Sequence, residues 1–337
     1  MNTPPNGLAR RDVLKWMGAS GLSGMALSPL GMAWAQAWQP RQAVEYIAPA
    51  NPGGGWDTLI RTTARVIQEE RLAPVNFAPI NTPGGGGAVA WAQIAAKRGN
   101  PHVLFAASPP IILVSLSGAS RFGHKDFTPI ARLITDYSIL LVRTDAPYKN
   151  AKELFEAIKA RPNLSVGGGS APGSMDHISI AGAASAAGVA ANRLNYIAFS
   201  GGGEAMTNLL GRHVEAVITG AGEAQAQLKG GQVRALAISG PKRMSSIPDV
   251  PTYQEQGINF TFDIWRGIMG APGMPAEAVA YYQDMYARML KTPTWAQARD
   301  QLGWIDAYQN SAEFGAFLDE QHKQFSTVLS DLGLVRR

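Results

Sequence analysis

Four glycine clusters punctuate this chain: Gly53-Gly54-Gly55, Gly84-Gly85-Gly86-Gly87, Gly167-Gly168-Gly169 and Gly201-Gly202-Gly203. Each follows an apolar run, at residues 44–48, 75–80, 164–166 and 194–199, and precedes a helical pattern, at 56–71, 88–98, 174–187 and 204–210. Glycine at a strand-to-helix joint removes the side chain and permits positive φ, so backbone N–H groups can converge on one point. The unpaired N–H groups and dipole of the following helix favour negative charge there. A chain that repeats this joint four times is built to hold an anion.

Further strands are expected at 102–107, 129–133, 138–142, 214–218, 233–238 and 267–271, and helices at 275–291, 294–302 and 311–333. Alternating strands and helices predict an α/β fold with largely parallel sheets. In the last helix Phe314, Phe317, Leu318, Gln321, Phe325, Val328, Leu329 and Leu332 keep helical spacing on one face, a packing stripe. About three hundred residues beyond the first 37 suggest two compact units, each with two glycine joints. A ligand would lie in the cleft between them.

Residues 1–37 read as an export signal rather than part of the fold. Arg10-Arg11-Asp12-Val13-Leu14-Lys15 is a twin-arginine pattern, followed by a mildly apolar stretch from Trp16 to Trp34. Small residues then stand at cleavage spacing, at Ala33-Trp34-Ala35 or Ala35-Gln36-Ala37, with cleavage after Ala37 preferred. Gly18, Ser20, Ser23, Gly24, Ser28 and Pro29 interrupt what a membrane anchor would keep apolar. Ala9 stands where Ser or Thr often precedes the arginine pair, which leaves general secretion open as a route. The product is expected in the periplasm.

The net charge is +5, of which +2 belongs to residues 1–37, and the basic residues are scattered, with no stripe for nucleic acid. The chain has no cysteine, which excludes thiol catalysis and cysteine-ligated metals. It has no Gly-x-Ser-x-Gly elbow, no His-Glu-x-x-His and no Gly-x-x-x-x-Gly-Lys-Ser/Thr loop. No cofactor and no metal is expected. The rival is an exported NAD(P)-dependent oxidoreductase, because Gly85-Gly86-Gly87-Ala88-Val89-Ala90 matches Gly-x-Gly-x-x-Ala after a strand. A dinucleotide site also needs Asp or Glu at the end of the next strand, and here that position reads Ser108-Pro109-Pro110.

Several segments together resemble one family. They are Pro52-Gly53-Gly54-Gly55-Trp56-Asp57, Pro83-Gly84-Gly85-Gly86-Gly87-Ala88-Val89-Ala90, Phe199-Ser200-Gly201-Gly202-Gly203-Glu204-Ala205, Leu209-Leu210-Gly211-Arg212-His213-Val214, Gly231-Gln232-Val233-Arg234-Ala235-Leu236-Ala237 and Pro248-Asp249-Val250-Pro251-Thr252. From about Val44 to Leu334 the chain resembles the substrate-binding proteins of tripartite tricarboxylate transporters, the Bug or TctC family. The Gly-Gly-Gly-Glu-Ala form and Thr135-Asp136-Tyr137 look closest to its tricarboxylate branch.

The resemblance implies a two-lobed type II periplasmic binding fold with the ligand cleft between lobes. Crossings near 136–138 and 262–265 would make one lobe of 38–137 with 263–337 and another of 138–262. It implies a monomer that captures a small organic carboxylate, a citrate-like tricarboxylate first and a dicarboxylate or aromatic carboxylate next. Large and small integral membrane transporter subunits would receive it, and no bond would be made or broken. Carried over by residue, the ligand-binding positions are Gly54, Gly55, Trp56 and Asp57, with Pro83, Gly84, Gly85 and Gly86 beside them. The second lobe would supply Gly169, Ser170, Ser174, Gly202, Glu204 and Thr219. Ala171 and Pro172 depart from the family by stiffening a loop commonly richer in hydroxyl and amide groups. From their own chemistry, Asp57 and Glu204 suit helix termini, Trp56 suits ligand contact or a helix staple, and His177 suits a polar wall or cap. Arg266 reads as a surface salt bridge, with a bidentate carboxylate clamp as the alternative.

Overall fold

The computed structural model describes residues 38–190 and 193–331; the export signal expected at 1–37 and Leu332 of the expected stripe lie outside them. Two sheets are built around one long strand, β4 (Thr128–Arg143). Its first part, up to Tyr137, pairs antiparallel with β9 (Asp263–Gly270), and its second part, from Ser138, pairs with β7 (Ala216–Gly220) and β8 (Val233–Ile238). The expected strands at 129–133 and 138–142 are thus one strand that passes from sheet to sheet without a break. β-bulges at Pro129/Ala131, Arg132/Ile134 and Leu140/Leu141 let it bend along the way.

The first sheet runs β2 (Phe77–Asn81), β1 (Val44–Ala48), β3 (Val103–Ala107), β9, β4, with β10 (Ile305–Gln309) on the far side of β4. The second runs β8, β4, β7, β5 (Ser165–Gly168), β6 (Asn195–Ala198). Only the outer pairs are parallel, β1 with β2 and β3, and β5 with β6 and β7. There, helical crossovers return the chain in the same direction. At the centre β4 pairs antiparallel with β7, β8, β9 and β10, and β3 with β9. The sheets are mixed, and the expectation of largely parallel sheets holds only for their flanks.

Side-chain alternation along β4 feeds two separate cores. Leu140 and Val142 join Ala216 and Ile218 in one apolar cluster, while Ile139 and Leu141 join Val217 in another on the opposite face. Around the first sheet a single cluster runs from Val44 and Leu59 to Trp265 and Phe314. Phe314 belongs to α10 (Ser311–Asp331), whose stripe contributes Phe314, Leu318, Phe325 and Leu329 to that core. Among the described residues no helix is long and apolar enough to cross a membrane.

Candidate ligand-binding site

The C-terminal ends of β1, β3, β5 and β6 point at a common cavity of about 270 Å³. In α/β sheets this is where ligands bind, since the helices that follow turn their N-termini to the same place. α1 (Gly55–Glu69) presents Gly55 and Trp56, α5 (Met175–Ala186) presents Met175 and Asp176, and α6 (Gly202–Leu210) presents Gly202. From the first turn of α7 (Ala221–Lys229) comes Glu223. Opposite them, Gly84, Gly85, Gly86 and Gly87 all take positive φ, at 124°, 58°, 64° and 111°. Such backbone is open to glycine and strained for other residues. Gly84, Gly85 and Gly86 line the cavity, while Gly87 N–H closes the turn on Gly84 O at 3.1 Å.

The glycine turns of the two sheets approach to backbone contact. Asn51 N–H donates to Ser200 O at 3.5 Å, and a Cβ built on Gly54 would lie 3.8 Å from Gly201 Cα. A Cβ on Gly86 would lie 3.1 Å from Cβ of Ala171. The stiff third loop, Ala171 and Pro172, therefore forms part of the wall.

Charge at the cavity sits in a buried cluster. Arg266 on β9 is 2% exposed, and a Cβ on Gly55 would fall 1.9 Å from its Nη1. This corrects the expectation of a surface salt bridge: the guanidinium fills the space beneath the start of α1. Its Nη2 donates to Glu223 Oε1 at 2.9 Å and stands 3.7 Å from Asp136 Oδ2. Asp136 also accepts from Tyr137 N–H at 2.8 Å and from Gly222 N–H at 3.3 Å. Burial pushes the Asp136 carboxyl up to about 6, against the pull of Arg266. Asp176 is pushed up to about 7, first by burial and then by the Glu223 carboxylate, and its Oδ1 has no hydrogen-bond partner. Both shifts follow from desolvation disfavouring the charged form.

Gly54, Gly55, Trp56, Gly84, Gly85, Gly86, Gly169, Ser170 and Gly202 all line the cavity, as the family pattern implied. Trp56 packs edge-on against Trp91, with centroids 6.4 Å apart, so it both lines the cavity and staples α1. Asp57, Pro83, Ser174, Glu204 and Thr219 do not line it. Asp57 accepts from Gly53 N–H at 2.9 Å, Asn81 Nδ2 at 2.9 Å and Arg61 Nε at 2.7 Å, which ties the first glycine turn to α1. Glu204 is exposed and accepts from Ser200 N–H at 2.9 Å, fastening the fourth turn. Ser174 is the residue before α5, and Thr219 Oγ1 donates to Glu223 Oε2 at 3.1 Å. His177 Nδ1 accepts from Gly173 N–H at 2.8 Å while its ring stacks on Tyr196, the cap and wall roles expected of it.

Glu223 escaped the sequence reading. Its signal is a fifth strand–glycine–helix joint, Thr219-Gly220-Ala221-Gly222-Glu223, hidden because its glycines are not consecutive. Ser108 and Pro110 line the cavity from a sixth joint, at the start of α3 (Pro110–Leu116), which uses proline instead.

Two sheets sharing one strand, with a donor-lined cavity at their facing strand ends, define a two-lobed periplasmic binding protein. The chain belongs to the tripartite tricarboxylate transporter family receptors, whose model matches residues 63–334. It is similar to the periplasmic binding protein BugD, at 24% identity and a TM-score of 0.82, over 88% of this chain and 100% of that one. A TctC solute-binding protein from Polaromonas is 29% identical with a TM-score of 0.62, over 87% and 99%. MatC from Rhodopseudomonas palustris, solved with bound malate, is 24% identical with a TM-score of 0.76, over 86% and 99%. Proteins of this family are periplasmic solute-binding receptors and not enzymes, which removes the oxidoreductase reading.

Proposed function

We propose that this receptor captures a small organic carboxylate in the cavity and delivers it to the large and small membrane subunits of a tripartite tricarboxylate transporter. A citrate-like tricarboxylate is the first expectation, followed by a dicarboxylate such as malate, the ligand of MatC, and by an aromatic carboxylate. The observation that carries this is the convergence of three helix N-termini and the glycines Gly84, Gly85 and Gly86 on one cavity of about 270 Å³. Such a ring of N–H donors suits carboxylate oxygens, and the volume is near the lower end for small-molecule sites. The nine lining residues carried over from the family would touch the ligand; Asp57, Ser174, Glu204 and Thr219 would hold the turns that do. The lobes would be 38–137 with 263–337, and 138–262.

A thermal-shift screen of residues 38–337 against citrate, malate, adipate and benzoate tests the reading. A hundredfold excess over Kd stabilises the fold by about 2.7 kcal/mol, a shift of several degrees. No shift with any carboxylate at millimolar concentration would defeat it. For export, Arg10→Lys with Arg11→Lys should leave the precursor in the cytoplasm; normal accumulation in the periplasm would point to general secretion.

A further inference from the structure

The cavity holds more carboxyl groups than its guanidinium can balance. Arg266 Nη2 is engaged by Glu223 at 2.9 Å and approached by Asp136 at 3.7 Å. Asp176 is left over, 2% exposed, lining the cavity, with Oδ1 unpartnered. Gly169 N–H and Ser170 hydrogen-bond the carboxyl, but no cation pairs with it. An ionised carboxylate buried away from a counter-charge is costly, so the group either carries a proton or awaits a donor from the ligand at Oδ1. The surroundings decide between these. α1, α5 and α6 turn their positive ends to the cavity, while the charge of Arg266 is met by Glu223. The helix ends disfavour an ammonium group, and an anion is favoured there once Asp176 ceases to repel it.

We infer that Asp176 meets the ligand as a neutral carboxylic acid whose O–H donates to a ligand carboxylate, so that capture of the anion takes up a proton from solvent. This deepens the carboxylate reading above and rests on it. The proton adds to one Asp176 carboxylate oxygen, and no bond between heavy atoms changes. The same residue sets specificity, because a ligand without a carboxylate at that end leaves the acid unpaired.

The groups facing Asp176 come from several elements. Glu223 stands on α7 and Arg266 on β9, with Asp136 of β4 behind it. From β6, Tyr196 donates its hydroxyl to Ser170 O at 2.7 Å, and burial keeps that phenol protonated. On α5 itself, burial holds His177 below its ordinary value. Burial and Glu223 raise Asp176 to about 7, while Gly169 N–H, Arg266 and Ser170 pull the other way. Asp136, at about 6, is the one other carboxyl here raised toward neutrality.

Malate and adipate serve as probes, since ordinary carboxylic acids are ionised above about pH 6.5. Calorimetry in two buffers of different ionisation enthalpy should show proton uptake on binding, and affinity falling about tenfold between about pH 6 and 8. Asp176→Asn keeps an N–H donor but cannot titrate. Uptake should vanish, affinity should become nearly flat with pH, and at about pH 8.5 the variant should bind more tightly than wild type. Ligand-free melting gives an independent arm. A carboxyl raised in the folded state contributes stability that is present below its unfolded value and lost as pH rises through about 7. Wild type should therefore lose melting temperature between about pH 5 and 8, and the Asn variant should lose less.

A probe that binds with no proton exchange and no pH dependence overturns the inference and leaves the carboxylate reading intact. So does affinity that rises with pH, is strongest for aspartate and is lost in Asp176→Asn, which would assign the acid to an ammonium. Failure of malate, adipate, citrate and benzoate to bind at any pH removes the carboxylate reading, and the inference with it.

Discussion

A methyl group added at Gly55 would lie 1.9 Å from Arg266 Nη1, and one at Gly202 would lie 2.0 Å from Glu223 Oε2 and 2.3 Å from Thr219 Oγ1. Arg266 Nη1 and Glu223 Oε2 end long side chains that can move, and the Thr219 hydroxyl must rotate about χ1. Gly55→Ala and Gly202→Ala should therefore fold while displacing the Arg266–Glu223 pair and closing the approach to the amides. Charge-assisted hydrogen bonds are worth roughly 1.5–3 kcal/mol, and about 1.4 kcal/mol is tenfold. Each variant should bind a responding carboxylate ten- to a hundredfold more weakly, on the order of one such bond lost. Gly54→Ala meets nothing closer than 3.6 Å and should change affinity little. Gly315→Ala, on α10 and away from the cavity, is the control. Calorimetry on the four variants is the check, and wild-type affinity at both Gly55→Ala and Gly202→Ala would refute the role of the turns. At this scale the turns are legible in sequence because glycine marks them. The charge cluster is not, since Arg266 meets Glu223 across 43 residues and no local spacing records the pairing.

Among elements, the legible ones carry a local signal, such as the glycine joint before α1 or the packing stripe of α10. β10 carries none: Ile305, Asp306 and Tyr308 are exposed, and only its pairing to the edge of β4 makes it a strand. α4 (Ala151–Ala160) did have one, an N-cap in which Asn150 Oδ1 accepts from Glu153 N–H, with Glu153 Oε2 accepting in turn from Lys149 N–H. α10 matters to the site although it never reaches it. Phe314 packs edge-on against Trp265 at 5.6 Å, and its ring lies 2.6 Å from where a Cβ on Gly267 would be. It thus braces β9 on both sides of Arg266. Phe314→Ala should cost about 3–5 kcal/mol of stability. It should also loosen Arg266 and lower carboxylate affinity in the protein that remains folded. Urea unfolding with calorimetry measures both, and an unchanged midpoint would show that the stripe is not the brace of this strand.

For the whole molecule, we propose that capture works by closure of the two lobes, and the facing glycine turns offer a way to hold them shut. Ligand capture by closure requires that the closed state bind better than the open one. It also requires that the lobes part to let the ligand enter and leave. Gly54 and Gly201 face each other across the cavity mouth, each placing a built Cβ 3.8 Å from the other's Cα. A disulfide sets its Cβ atoms about 3.5–4.5 Å apart, and turns this close bring cysteines at the two positions within reach of each other. The backbone at Gly54, φ −79°, and at Gly201, φ 166°, accepts a side chain. The native chain has no cysteine to compete. Gly54→Cys with Gly201→Cys, oxidised without ligand, should therefore exclude a carboxylate that the reduced protein binds. Oxidised after loading, it should keep the ligand through dialysis and release it on reduction. If the oxidised protein exchanges ligand as fast as the reduced one, the two turns do not part during capture, and the receptor works without closing across this mouth.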